Sequence, residues 1–233
     1  MDERVFVIGG TRGTGLQITS LLLREGYRVR ALVRDQAKAR QQLSSAVELA
    51  AGDITQPRTL ARTFEAVDHV IFTAGVTKRP ASEQLVMTTE YEGVKNTLAA
   101  ARDAGFAGRI LYMTSIGVTR PSLGASILNL VKRNTLKWRK RAEDEIRASG
   151  IRYTIVRAGF LLNRPAGSRP IEVSQNDYPL AFKYRIGRGD VAQTFVQALK
   201  HSRTEGTTFE VVWAKGAQRE AWGVLFGRLQ PDL

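Results

Sequence analysis

The sequence predicts an α/β fold, a doubly wound parallel sheet of about six or seven strands with helices on both faces. Two observations carry that expectation. Short apolar runs alternate with stretches of helical spacing along the whole chain, starting with Arg4–Ile8. The first run ends in Gly9-Gly10, and glycines at 13 and 15 follow at once, so strand, glycine turn and helix come in that order.

Residues 4–8 form the first strand, and Leu16, Thr19, Leu22 and Leu23 recur on one helix face over 15–25. Gly26 stops that helix, and Tyr27–Val33 alternates polar with apolar as the second strand. One βαβ unit is thus complete within about thirty residues, as the motif requires. A third strand follows at Val47–Ala50 before Gly52-Asp53, then a helix after Pro57 and a fourth strand at His69–Phe72. A helix is expected over 83–104, a strand at Arg109–Met113, one long basic helix to about Ser149 and a strand at Tyr153–Val156. Asp190–Leu199 reads as a helix, Thr207–Val212 as a strand and Ala217–Leu229 as an amphipathic closing helix. Strands and helices in this rhythm give a sheet covered on both faces with right-handed crossovers. The stretch 163–188 holds three prolines and mixed polarity, and is expected to be a loop or lid over the substrate. Residues 1–233 read as one domain.

Composition narrows the function. With 43% hydrophobic and 24% charged residues the chain has material for a full core, which excludes disordered and fibrous classes. No apolar stretch approaches the roughly 20 residues of a membrane span, and Met1–Arg4 leads into the first strand without a leader pattern. The absence of cysteine rules out a thiolate nucleophile or a disulfide framework and fits a cytoplasmic location. His69 and His201 are isolated and no HExxH occurs, so no metal site is expected. A net charge of +13 favours anionic partners, and its positives are densest in 132–147. Aromatic residues barely interleave with those positives, so a solvated helix face is the simpler reading and no specific nucleic-acid partner is expected. Trp138, Trp213 and Trp222 read as core or interface aromatics. Trp222–Leu229 serves equally as a core cap or as the interface of a homo-oligomer.

The turn Gly9-Gly10-Thr11-Arg12-Gly13-Thr14-Gly15 sits between a strand and a helix, the context in which glycines cradle a dinucleotide. Gly9 permits the tight turn, Gly13 lets the backbone approach a pyrophosphate, and Gly15 lets helix pack on strand. The helix N-terminus then offers N–H groups and a positive dipole end to the anion. A carboxylate at the end of the second strand selects NAD(H) by holding the ribose 2′-hydroxyl. Here that strand ends in Leu32-Val33-Arg34-Asp35. Arg34, joined by Arg12, can pair with a 2′-phosphate, which points to NADP(H), whereas a one-residue shift would put Asp35 there instead.

With these residues, and with GDIT at 52–55, TAGV at 73–76, LYMTSIGV at 111–118, SGIRYTIVRAG at 149–159 and RGDVA at 188–192, the chain resembles the atypical branch of the short-chain dehydrogenase/reductase superfamily, the NmrA-like and biliverdin/flavin-reductase-like proteins. The resemblance spans almost the whole chain and implies a Rossmann-like NAD(P)H-binding fold. It places Asp53 and Ile54 beside the adenine, and Ala74, Gly75 and Val76 on the ribose and pyrophosphate side. Thr114 and Ser115 would lie at the nicotinamide end, with Ala158, Gly159 and Phe160 closing over the ring.

Catalytic members use a Tyr-xxx-Lys pair in the helix after the fifth strand, where lysine lowers the tyrosine pKa. On this chain those positions fall on Thr135 and Arg139, or in the neighbouring frame on Leu136 and Lys140. No register restores the pair. Tyr91 and Lys95 match the letters but lie in the preceding helix, where a packing role is expected. The resemblance therefore implies an NADPH-dependent oxidoreductase acting on a small molecule that accepts hydride directly, such as a quinone, a flavin or a similar conjugated ring, with Ser115 assisting. The alternative is a non-catalytic NADP(H)-binding redox sensor or assembly factor.

Overall fold

The computed structural model describes residues 2–77, 80–216 and 218–232. Its first six strands are β1 (Arg4–Ile8), β2 (Arg28–Val33), β3 (Glu48–Ala51), β4 (His69–Phe72), β5 (Arg109–Ser115) and β6 (Arg152–Ala158). They lie parallel in the order β3-β2-β1-β4-β5-β6. In β1, Val5, Phe6, Val7 and Ile8 are all at most 1% exposed, because a central parallel strand is covered on both faces. Val5 and Val7 pack with Ile18, Leu22, Phe195 and Phe209 on one face; Phe6 and Ile8 pack with Phe64, Phe72 and Leu98 on the other.

The remaining strands are β7 (Phe160–Leu162), β8 (Ile171–Ser174), β9 (Arg185–Gly187) and β10 (Thr207–Trp213). β10 runs parallel to β6, and β8 closes the sheet antiparallel to β10. The sheet thus has eight strands rather than six or seven. The extra one comes from 163–188, expected to be a loop or lid. Buried Ile171 and Val173 alternate there with half-buried Glu172 and Ser174, a strand pattern only four residues long. The same stretch supplies β9, which pairs with β7 in a separate two-stranded ribbon.

The helices are α1 (Gly13–Arg24), α2 (Gln36–Arg40), α3 (Glu83–Met87), α4 (Gly93–Asp103), α5 (Leu123–Val131), α6 (Thr135–Arg147), α7 (Arg188–Lys200) and α8 (Trp222–Gly227). The helix expected after Pro57 is a single 3-10 turn, Pro57–Leu60, in which the Thr59 hydroxyl donates to the Gln56 carbonyl at 2.7 Å and competes with the backbone. The expected long basic helix is two. Arg133 and Asn134 both take left-handed backbone angles, φ 53° and 63°, and the Asn129 side chain accepts from the Leu136 N–H at 2.9 Å to start α6. Between α3 and α4, Thr88–Glu92 form a π-turn inside one continuous helical run. The closing helix keeps only Trp222–Gly227 of the expected span, and Ala217 lies outside the described residues.

Much of the charge on the basic helix α6 is answered within the molecule. Lys140 pairs with Asp144 at 2.6 Å, Arg147 with Glu143 at 2.9 Å and with Asp232 at 3.2 Å. Lys137 and Arg141 each lie 4.9 Å from the Trp138 ring centre.

One buried network ties α6, β6 and β10 to the 175–185 segment. Arg157 donates to Glu143 at 2.8 and 3.2 Å and reaches Glu210 at 3.5 Å, while Glu210 accepts from the Asp177 N–H at 3.1 Å. Burial pushes the Glu210 carboxyl up to about 7, with Arg157 pulling the other way. The folded state therefore holds a proton that the unfolded chain has released above its ordinary value of about 4.3. Stability attributable to this group falls as pH rises from there to about 7 and is flat beyond. Glu210→Gln should remove that slope, and urea unfolding at pH 5 and pH 7.5 measures it; equal pH slopes in parent and variant would exclude the effect.

Candidate functional site

The strand order reverses between β1 and β4, which opens a crevice at the carboxyl edge of the sheet. Gly9, Thr11, Arg12, Gly13, Thr14 and Gly15 follow β1 at that edge; Arg34 follows β2, and Asp53 and Ile54 follow β3. Ala74, Gly75 and Val76 follow β4, Thr114 and Ser115 end β5, and Ala158 ends β6 before Gly159 and Phe160. Every candidate residue thus lies at the same edge of the sheet.

The glycine turn is shaped for close approach. Gly9 has φ 89°, and a Cβ there would lie 2.7 Å from the Ala74 nitrogen. A Cβ on Gly15 would lie 2.1 Å from the Gly9 carbonyl oxygen, so helix and strand could not pack as they do. At Gly13, φ is 57° and a Cβ would meet only the Arg188 Nε, at 3.8 Å, which leaves an open face. No side chain among the described residues caps the start of α1. The hydroxyl of Thr14, in the first turn of α1, and that of Thr114, at the end of β5, are buried without a partner among the described residues. Open space, uncapped N–H groups and two orphaned hydroxyls fit a phosphate-bearing dinucleotide.

At the end of β2 the neighbouring carboxylate is already engaged. Asp35 accepts from the Lys38 N–H at 3.0 Å as the cap of α2, and that bond, with the Lys38 charge, holds its carboxyl below the usual range. Arg34 is exposed, and neither it nor Arg12 has a side-chain hydrogen bond or ion pair among the described residues. The Asp53 carboxylate accepts from the Thr55 N–H and hydroxyl, both at 2.9 Å. The Ile54 side chain packs into the core against Gly93, where a Cβ would lie 2.8 Å from its Cδ1, and the residue is 6% exposed.

Glu90, which the sequence reading passed over, sits in the π-turn 3% exposed. It accepts from the Thr135 hydroxyl, from Arg139 Nε at 3.0 Å and from the Val76 N–H at 3.0 Å. Burial pushes its carboxyl up, but the Arg139 charge and these bonds outweigh that and leave it below the usual range. A Cβ on Gly75 would lie 3.2 Å from both Glu90 and Arg139, so this cluster backs the Thr73–Val76 segment directly. A cavity of about 260 Å3 opens beside it between Val76, Glu90, Val131 and Thr135. The signal for Glu90 was available in the sequence: Val86, Glu90, Val94 and Leu98 recur at four-residue spacing, and all four are buried.

The Tyr91 hydroxyl donates to Glu145 at 2.8 Å, and its ring packs 5.8 Å from Trp138. That hydrogen bond, with a small contribution from burial, raises the Tyr91 hydroxyl above its ordinary value, the opposite of what a proton donor needs. Ser115 donates to the Ile116 carbonyl at 3.1 Å at the end of β5. Arg188, also unforeseen, donates to Asn163 at 2.7 Å beside the open face of Gly13.

Comparison with known proteins decides the family. A model of the NAD(P)H-binding family matches residues 9–202. The chain belongs to that family. It is similar to sanguinarine reductase of Eschscholzia californica, with 29% identity over 220 residues that cover 79% of each protein. It also resembles the photosystem II assembly factor Ycf39 of Trieres chinensis, 27% identical over 91% of this chain and 64% of that one. An anaerobilin reductase structure from Escherichia coli O157:H7 superposes with a TM-score of 0.74 at 21% identity, covering 92% of this chain and 99% of that one, a likeness of fold. The Rossmann-like fold is thus common to this NAD(P)H-binding chain and its structural neighbour, and the relatives include both reductases and assembly factors.

Proposed function

We propose that the chain works as one domain and is an NADP(H)-dependent reductase whose acceptor is a conjugated ring, such as a quinone or flavin, that takes hydride directly. The observation that carries this reading is the Glu90 cluster. Thr135 and Arg139 stand where the family's tyrosine and lysine would be, and both are committed to one buried carboxylate. Neither offers a tuned acid, so the acceptor has to be one whose charge delocalises as it is reduced. A bound reduced nicotinamide would supply the hydride, and this chain's residues position the reactants and exclude water.

In this reading the first turn of α1, with Thr14, holds the pyrophosphate, and Arg12 and Arg34 take the 2′-phosphate. Ala74, Gly75 and Val76 line the ribose side and are kept in place by Glu90. Thr114, Ser115, Ala158, Gly159 and Phe160 surround the nicotinamide end, with Ser115 available to hydrogen-bond the acceptor. NADP(H) should bind more tightly than NAD(H) by about 1–3 kcal/mol, roughly tenfold to a hundredfold, because two unpaired guanidiniums meet the extra phosphate. Calorimetric titration of both cofactors checks it. Equal affinities, or an Arg34→Ala variant that loses nothing for NADP(H), would exclude the assignment.

The likeness to an assembly factor supports a second reading, in which the same site binds NADP(H) without turnover. Incubation with NADPH and a panel of quinones and flavins separates the two.

A further inference from the structure

A second cavity, of about 450 Å3, lies at the carboxyl edge of the sheet beyond β6 and β10, next to the ribbon that begins at Phe160. Its walls include Leu162 on β7, Pro165, and Trp213 at the end of β10. Arg164, Arg169 and Arg185 also face it. None of these three guanidiniums has a hydrogen bond or ion pair to a carboxylate among the described residues. Several arginines elsewhere in the molecule are paired with carboxylates, Arg30 with Glu48, Arg139 with Glu90 and Arg157 with Glu143. Three like charges around one cavity repel each other, a cost that an anion in the cavity would reverse.

Aromatic rings flank these arginines, Trp213 in the cavity wall and Phe182 beside it. Arg169 lies 5.1 Å from the Trp213 ring centre and Arg185 4.9 Å from that of Phe182, which meets Phe160 edge-on at 5.2 Å. Phe160 and Phe182 are 47% and 55% exposed and stand beside the cavity, next to its Arg185 wall, so part of their ring surface is open to a flat ligand. The Trp213 wall is also fixed. Its indole N–H donates to Asp190 at 2.9 Å, and the same fully buried carboxylate accepts from the Gly167 N–H at 2.8 Å and from Arg219 at 3.1 Å. Asp190 thus holds Trp213 and the 165–169 segment in register.

We infer that this cavity is the seat for an anionic group, a carboxylate or sulfonate, on a planar conjugated ligand. Guanidiniums bind such groups through forked, charge-assisted hydrogen bonds, while the Phe160–Phe182 face takes the ring. The site rests only on the geometry above. That its occupant is the hydride acceptor rests on the reductase reading.

The test is calorimetric titration of naphthalene-2-sulfonate and of uncharged 2-naphthalenemethanol into the protein saturated with NADP+. The sulfonate should bind at least about tenfold more tightly, since hydrogen bonds to charged groups contribute that much. The preference should weaken at high salt and collapse in Arg164→Gln plus Arg169→Gln. Both arginines are on the exposed surface, so this variant should keep its fold. Equal affinity for the two ligands, an unchanged preference in the double variant, or binding of the sulfonate only when NADP+ is absent would each overturn the inference. Turnover of 1,4-naphthoquinone and its 2-sulfonate is followed in parallel. If neither is reduced while the sulfonate preference holds, the reductase reading fails and the anion site stands; if both are reduced but the binding preference is absent, the reverse is true.

Discussion

A single methyl group at position 15 should abolish cofactor binding by disrupting the fold, whereas a larger side chain at position 13 should abolish it with the fold retained. A Cβ on Gly15 would sit 2.1 Å from the Gly9 oxygen and 2.6 Å from the Thr73 hydroxyl, both held in the β1–β4 crossing. Backbone cannot move aside without lifting α1 from the sheet. Gly15→Ala should therefore cost about 3 kcal/mol or more, at the upper end of overpacking. Gly13 has room, and its left-handed backbone makes substitution cost about 1–2 kcal/mol. Gly13→Val should stay folded and, if the proposed site is right, lose at least a hundredfold in NADP(H) affinity, because the side chain fills the open space proposed for the pyrophosphate. Urea unfolding reports the first effect and calorimetry the second. Unchanged affinity in Gly13→Val would make the turn structural only.

The second large effect belongs to Glu90. Its removal in Glu90→Ala leaves Arg139, whose side chain is 21% exposed, without its counter-charge and frees the Val76 N–H. Breaking such a pair costs about 3–5 kcal/mol. Replacing both partners, as Glu90→Leu with Arg139→Leu, should recover much of that loss, because the uncompensated charge is gone. The pair also sets a pH dependence opposite to that of Glu210. The folded-state value of Glu90 is lowered, so its stabilisation is present above the ordinary carboxylate value and is lost as pH falls through the folded one. Additive losses from Glu90→Ala and Arg139→Leu, in place of recovery, would show that the two act independently.

The sheet was legible because its strands are apolar runs between glycine, proline and helical spacing, and β1, β4 and the glycine turn need nothing more. The 163–188 stretch was less so. β8 carries only two core residues, and its place beside β10 is fixed by pairing distant in sequence. The break at Arg133 and Asn134 was hidden because left-handed angles at two non-glycine residues leave no mark that a solvated basic helix would lack. For the site, motif and resemblance brought the candidate residues to one edge, and counting back to Thr135 and Arg139 found the two side chains that meet at Glu90. The carboxylate escaped because Glu90 is held by contacts to two segments distant in sequence, α6 and the loop at Val76, and only its apolar spacing with Val86 and Val94 hinted at burial. The three arginines of the second cavity lie at 164, 169 and 185, and no local pattern joins them.

Hydride transfer without a tyrosine acid is the central claim for this chain, and loss of NADPH absorbance measures it directly. Purified protein mixed with NADPH and 1,4-naphthoquinone or a free flavin should consume NADPH at a rate proportional to protein concentration. The same protein with simple ketones should consume none at a useful rate, since a positioned acid–base group contributes about 10²–10⁴-fold that this site lacks. Brisk ketone reduction, halted by Tyr91→Phe, would contradict the account and move the site to the helix that carries Tyr91 and Lys95.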